Sequence, residues 1–267
     1  MTAQLRTHDL CVSFGGLRAV DGLDLAVETG QLVGLIGPNG AGKTTAIDAI
    51  TGFVPSTGGV HFGGERIEEI PPHRRAALGL ARTWQSLELF DDLTVEENLL
   101  VAAERSSWRD VVADLVVPRR GARRADEQML HGLDLLGLVD LRDLMPNEIS
   151  QGQRKLVGVA RALAAAPKLI CMDEPAAGLD TAESHALGQQ LRSIVDSGVA
   201  VLMVDHDMSL VMQVCDYLYV VEFGRLIAEG TPTDVAHDER VLDAYLGRSE
   251  PPDVEVELPT TTEPDDE

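Results

Sequence analysis

Residues 37–45 read Gly37-Pro38-Asn39-Gly40-Ala41-Gly42-Lys43-Thr44-Thr45. They lie between the apolar run Leu32-Val33-Gly34-Leu35-Ile36 and the stretch Ala46-Ile47-Asp48-Ala49-Ile50, which reads as a helix. Strand, glycine loop and helix in that order are the setting that G-x-x-x-x-G-K-[ST] requires in order to cradle phosphate. Gly37, Gly40 and Gly42 lack a Cβ and so permit positive φ, which lets the backbone close around a ligand. The loop N–H groups and the helix N-terminus then aim partial positive charge into one hollow. Lys43 would reach the β- and γ-phosphates of a nucleotide, and the Thr44 hydroxyl would bind Mg²⁺. The lysine stands out, because 19 of the 22 basic residues are arginine. Lysine supplies a compact point charge where arginine presents a planar fork. The alternative, a glycine turn that merely ends a strand, accounts for neither the spacing nor the context.

The formal charge of −22 argues against nucleic acid as the main partner. It does not argue against a nucleotide, since surface charges beyond about 8 Å are largely screened at physiological salt. Three widely spaced cysteines, Cys11, Cys171 and Cys215, suit reduced thiols in the cytosol, with the last two in apolar, core-like surroundings. The start, Met1-Thr2-Ala3-Gln4-Leu5-Arg6, has no signal-peptide core. The most apolar stretch, 156–172, is interrupted by Arg161, Pro167 and Lys168 and does not read as a membrane span. Any membrane role is therefore expected to come through a partner.

Strands are expected at 5–14 and 23–28, with a turn at Gly15-Gly16, and a short strand at 58–64. Together they suggest a small antiparallel β portion beside the phosphate loop. Residues 80–85 read as a strand ending at Gln85. Phe14 could stack on a base, although a core position is its ordinary reading. Helical spacing over 94–104 and 124–138 marks a helical insert at about 86–150. The basic stretch Pro118-Arg119-Arg120-Gly121-Ala122-Arg123-Arg124 reads as a solvated loop within it, with contact to a lipid surface or a partner as the lesser alternative. Capping boxes are expected at Thr94-x-x-Glu97 and at Ser150-x-x-Gln153, the latter opening a helix to about Ala165. That second start, with Gly152, Arg154 and Lys155, is also a possible anion site. Asp180 with Glu183 reads as another helix cap.

Two further apolar runs end in charge: 169–172 in Asp173-Glu174, and 199–204 in Asp205-His206-Asp207. Continuous apolar runs suit parallel strands covered on both faces. Parallel strands bring their C-terminal ends to one edge, where open α/β sheets bind ligands. Lys43, Asp173, Glu174 and His206 should therefore converge. The ordinary reading of an isolated His206 is a buried structural imidazole. Residues 216–229 suggest a hairpin around Phe223-Gly224. From Ser249 onward the chain holds eight acidic residues, no basic ones and no aromatic, and reads as a disordered tail.

These residues, in this order, resemble the ATP-binding-cassette ATPases from roughly Leu5 to Gly247. The resemblance implies an α/β P-loop NTPase core with a mostly parallel sheet, an N-terminal antiparallel β subdomain and an inserted helical subdomain. The cassette would span 1–248, with 249–267 outside it. Gly37 to Thr45, including Asn39, Ala41 and Thr45, resembles the Walker A motif. Leu169 to Glu174 resembles Walker B, which implies Asp173 and Thr44 as Mg²⁺ ligands and Glu174 as the catalytic carboxylate. Gln85 falls at the Q-loop glutamine near Mg²⁺ and the γ-phosphate, His206 at the switch histidine, Asp180 in the D-loop and Phe14 at the base-stacking aromatic.

Residues 149–153, Ile-Ser-Gln-Gly-Gln, resemble the signature Leu-Ser-Gly-Gly-Gln, with Ser150, Gly152 and Gln153 toward nucleotide. The family works as head-to-tail pairs on membrane permeases, so ATP, Mg²⁺, a second cassette and integral membrane subunits are the implied cofactors and partners. The implied location is the inner face of the membrane. The stretches 14–17, 81–85, 98–102, 173–179 and 244–247 look like importer ATPases for branched-chain amino acids, except that Trp84 stands where Phe is usual. Urea or amide importers share much of this pattern. Exporter ATPases, soluble cassettes acting on nucleic acid or ribosomes, and nucleotide-sensing modules are the alternatives. The acidity, the single cassette and the presence of Glu174 and His206 disfavour the last two.

Overall fold

A computed structural model describes residues 3–83, 89–103 and 120–246. Two sheets organise it. The first is antiparallel, with strand order β2-β1-β4-β5, built from β1 (Ala3–Phe14), β2 (Leu17–Glu28), β4 (Thr57–Phe62) and β5 (Glu65–Arg66). The second has six strands in the order β10-β9-β3-β8-β7-β6. These are β3 (Leu32–Ile36), β6 (Leu80–Arg82), β7 (Leu169–Asp173), β8 (Ala200–Val204), β9 (Tyr217–Glu222) and β10 (Arg225–Gly230). All neighbours in the second sheet are parallel except the β9–β10 hairpin at its edge.

The apolar runs are continuous because both faces of this sheet are covered. Leu32, Ile36, Ile170, Met172, Val201 and Met203 face one core. Val33, Leu35, Leu169, Cys171, Leu202 and Val204 face the other. The second core is closed by α1 (Lys43–Thr51), through Ile47 and Ile50, and by the antiparallel sheet, through Leu5, Leu10 and Leu23. The first is closed by α3 (Val95–Ala103), α4 (Arg120–Leu135), α5 (Gln151–Ala164), α6 (Thr181–Asp196) and α7 (Met208–Val214). Short helices α8 (Pro232–Ala236) and α9 (Glu239–Leu246) end the described chain. Among the described residues no helix is long and apolar enough to cross a membrane.

The expected caps are present. Thr94 and Glu97 exchange side-chain bonds with each other's backbone N–H, at 3.2 and 2.8 Å. Fully buried Asn98 ties the approach to α3 in place, donating from Nδ2 to the carbonyls of Phe90, Leu93 and Thr94.

Three expectations need correction. β2 starts at Leu17 rather than 23, because Phe14 pairs with Leu17 and Ser13 with Arg18 across a long hairpin. Residues 120–124 are helical, so most of the expected basic loop is the first part of α4. That helix ends at Leu135 rather than 138, because Gly137 adopts a left-handed φ of 66°. A further helix, α2 (Pro72–Leu78), follows the Pro71-Pro72 pair. Pro72 sits in its first turn, where the missing N–H costs nothing. The expected acidic tail at 249–267 lies outside the described residues.

Candidate nucleotide-binding site

The loop after β3 is shaped by glycine. Gly37, Gly40 and Gly42 have φ of 149°, 81° and 96°. A Cβ on Gly37 would lie 2.0 Å from the Val221 carbonyl oxygen, and one on Gly42 would lie 2.2 Å from that of Ala19. The loop is therefore wedged between β9 and β2, and only glycine fits at its two ends. The β9–β10 turn braces it further. Gly224 N–H donates to the Ala41 carbonyl at 3.1 Å, and the Gly224 carbonyl accepts from Asp21 N–H at 2.8 Å. Asn39 and Gly40 form an exposed crest, and Thr44 and Thr45 open α1. Lys43 Nζ donates to the Gly37 and Pro38 carbonyls, both at 2.8 Å. Burial lowers the Lys43 pKa, while Glu174 and Asp173 pull it back up.

The ends of β7 and β8 face this loop. The Thr44 hydroxyl donates to Asp173 Oδ1 at 3.3 Å. Asp173 is only 3% exposed, and burial pushes its carboxyl up against the opposing pull of Thr44 and Arg82. Glu174 follows with a left-handed φ of 50°, which breaks the strand, and its N–H still bonds the Val204 carbonyl at 2.7 Å. A non-glycine residue in that region costs of order 1–3 kcal/mol and is characteristic of functional sites.

Asp205, fully buried, accepts from the N–H groups of Ala176 and Asp207, both at 2.9 Å, and so clasps the turns after β7 and β8 together. His206 Nδ1 lies 3.7 Å from Asp205 Oδ1 and 4.0 Å from Glu174 Oε1. Its side chain is 63% exposed, which overturns the reading of a buried imidazole. Lys43, Thr44, Asp173, Glu174 and His206 thus stand together at one sheet edge.

The fit to Mg²⁺ can be judged from the donor set. Among the described residues no cluster of three or more His, Cys, Asp or Glu side chains could hold a metal. One carboxylate and one hydroxyl beside a phosphate cradle are instead what Mg²⁺ takes when substrate phosphates and water complete its octahedron. Asp173 and Thr44 are such a pair.

Ser150, Gly152, Gln153 and Asp180 form a second cluster that makes no hydrogen bond to the loop among the described residues. Ser150 Oγ accepts from Gln153 N–H at 3.2 Å, and Gln153 Oε1 accepts from Ser150 N–H at 2.8 Å. Asp180 and Glu183 make the same exchange at the start of α6. A Cβ on Gly152 would lie 2.7 Å from Glu183 Oε1, the mobile end of a side chain that can move aside. The two cations expected to support an anion here are engaged otherwise. Arg154 pairs with Asp91 at 3.2 Å, and Lys155 Nζ donates to the carbonyls of Pro175, at 3.1 Å, and Ala177.

Phe14 is 52% exposed at the end of β1, so the core reading fails and its ring is free to stack. Gln85 lies outside the described residues. Sequence reasoning gave no role to Asp205 or Arg82. The Asp-His-Asp run was a signal for the first, whereas nothing local distinguished the second.

Comparison with known proteins agrees with this geometry. Residues 20–177 match the family model described as ABC transporter, and residues 225–251 match one described as branched-chain amino acid ATP-binding cassette transporter. The chain is 39% identical over 252 residues to the high-affinity branched-chain amino acid transport ATP-binding protein BraF of Pseudomonas aeruginosa, covering 92% of this chain and 98% of that one. It is 37% identical over 246 residues to the lipopolysaccharide export system ATP-binding protein LptB of Escherichia coli, with the same coverage. The crystal structure of the ADP conformation of an ATP-binding cassette of an ABC transporter superposes with a TM-score of 0.81 at 33% identity, covering 92% of this chain and 100% of that one.

Proposed function

The chain belongs to the ABC transporter ATPase family, and on that premise we propose that it energises an importer for branched-chain amino acids. That it binds and hydrolyses ATP for a transporter follows from the family. The importer reading is carried by the match of residues 225–251 to a branched-chain amino acid cassette model. An exporter is the second reading, favoured by the 37% identity to LptB.

In this reading the backbone of Gly37 to Thr45, including Asn39, Gly40, Ala41 and Gly42, wraps the phosphates, and Lys43 neutralises them. Thr44, Asp173 and Gln85 would hold Mg²⁺, which neutralises phosphate charge that develops during transfer. Glu174 orients and deprotonates the attacking water, and His206, whose Nδ1 lies 4.0 Å from Glu174 Oε1, contacts the γ-phosphate. Phe14 stacks on the base. Ser150, Gly152, Gln153 and Asp180 serve the nucleotide of a second cassette. What supports that assignment is the position of Ser150 and Asp180, exposed helix caps in a cluster separate from the phosphate loop.

A cavity of about 590 Å³ offers permease subunits a seat. Its walls include Phe53, Ala76, Leu89, Ala102 and Ala162, and its floor reaches Asp173 and Glu174. The working position is then the inner face of the cell membrane.

The test is uptake of radiolabelled leucine, isoleucine and valine by cells lacking this chain. Loss of all three, restored by the wild-type chain and not by Lys43→Ala, is expected. Undiminished uptake would remove the importer reading. Co-purification from membranes then identifies the integral proteins bound.

A further inference from the structure

We propose that Arg82 is a positioning residue for Asp173, fixing that carboxylate from the phosphate-loop helix so that it meets a divalent cation in one orientation. The inference rests on the reading of Asp173 as a Mg²⁺ ligand. Arg82 ends β6, and its side chain is 8% exposed. Nη1 pairs with Asp48 Oδ1 and lies 3.5 Å from Thr51 Oγ1, both on α1. Nη2 lies 3.6 Å from Asp173 Oδ2. The guanidinium carbon sits 5.7 Å from the centre of the Phe53 ring. Asp173 Oδ1 meanwhile accepts from Thr44, also on α1. The two oxygens of one carboxylate are therefore addressed separately, and both partners are anchored on the same helix. A carboxylate turns readily about its last torsion. Contacts at 3.3 Å on one oxygen and 3.6 Å on the other favour a single orientation of this one.

The plainer reading makes Arg82 only a counter-charge for buried acids. The two readings predict opposite signs. A bare positive charge beside a cation ligand repels the cation, so its removal should tighten Mg²⁺ binding. Loss of orientation should weaken it. Asp48 already balances the charge of Arg82, so removing both residues isolates the positional effect.

The experiment measures binding of a fluorescent ATP analogue in excess EDTA and in excess Mg²⁺, and takes the ratio of the two affinities. In Arg82→Met/Asp48→Asn the ratio is expected to fall at least about tenfold, the usual scale for residues that orient metal ligands. Affinity in EDTA should stay within about twofold. Arg82→Lys should recover part of the loss. Should the double variant fail to fold, Asp48→Asn alone, with its carboxylate partly open to solvent, should still lower the ratio. An unchanged or raised ratio in a folded variant overturns the proposal. Asp173→Asn is the control. If it keeps the whole Mg²⁺ effect, the assignment of Asp173 as ligand falls instead, and the proposal with it.

Discussion

The Thr44 hydroxyl donates to Asp173 Oδ1 across 3.3 Å, although the two residues are 129 positions apart in the chain. One opens the helix after the phosphate loop, and the other ends a strand two places away in the sheet. The contact exists because β3, β8 and β7 run parallel and deliver their C-terminal ends to one edge.

Replacement of Lys43 by Ala should abolish useful ATP binding. Hydrogen bonds to charged groups are worth about 1.5–3 kcal/mol each, so the loss should be at least about tenfold. Equilibrium titration with nucleotide measures it, and wild-type affinity would refute the phosphate-loop assignment.

Glu174→Gln should bind ATP normally, hydrolyse it about 10²–10⁴-fold more slowly, and accumulate an ATP-bound dimer on size-exclusion chromatography. The amide keeps the shape and the left-handed backbone but cannot take a proton. Turnover at the wild-type rate would transfer the role of base to another residue.

Burial pushes the Cys171 and Cys215 thiols from an ordinary 9.0 up to about 12. At pH 8 both should resist a thiol reagent in the folded chain and react on unfolding, while the partly buried Cys11 labels first. The raised folded values mean that the unfolded chain loses these protons earlier. Their contribution to stability is thus complete below pH 9 and lost between 9 and 12. Denaturant titrations at pH 8 and pH 10.5 should show the midpoint falling. A second thiol labelling rapidly in native protein contradicts the packing.

Much of this site was legible because its signals are local. Lys43 sits in a spaced glycine pattern, Asp173-Glu174 and His206 each end an apolar run, and Ser150, Thr94 and Asp180 announce themselves three residues before an acid or amide. What escaped is what only tertiary structure creates. Arg82 matters through Asp48 and Asp173, neither near it in sequence. Asp205 matters because two turns meet over it. Phe14 and His206, judged alone, were given to the core by base habit, and both are exposed. The helix after Pro71-Pro72 was missed because proline reads as a break even where it begins an element. The basic stretch 118–124 reads as a solvated connection, yet the chain is helical from Arg120 onward.

Strand β7 is indexed twice. Its alternate residues enter different compartments, Leu169 and Cys171 on one side, Ile170 and Met172 on the other. Its tip meanwhile sets where a carboxylate meets Thr44. Deleting a single residue from these five would either swap the cores of the side chains before the gap or draw the acidic pair one step out of register. Drift in length here is thus barred by packing and by chemistry at once.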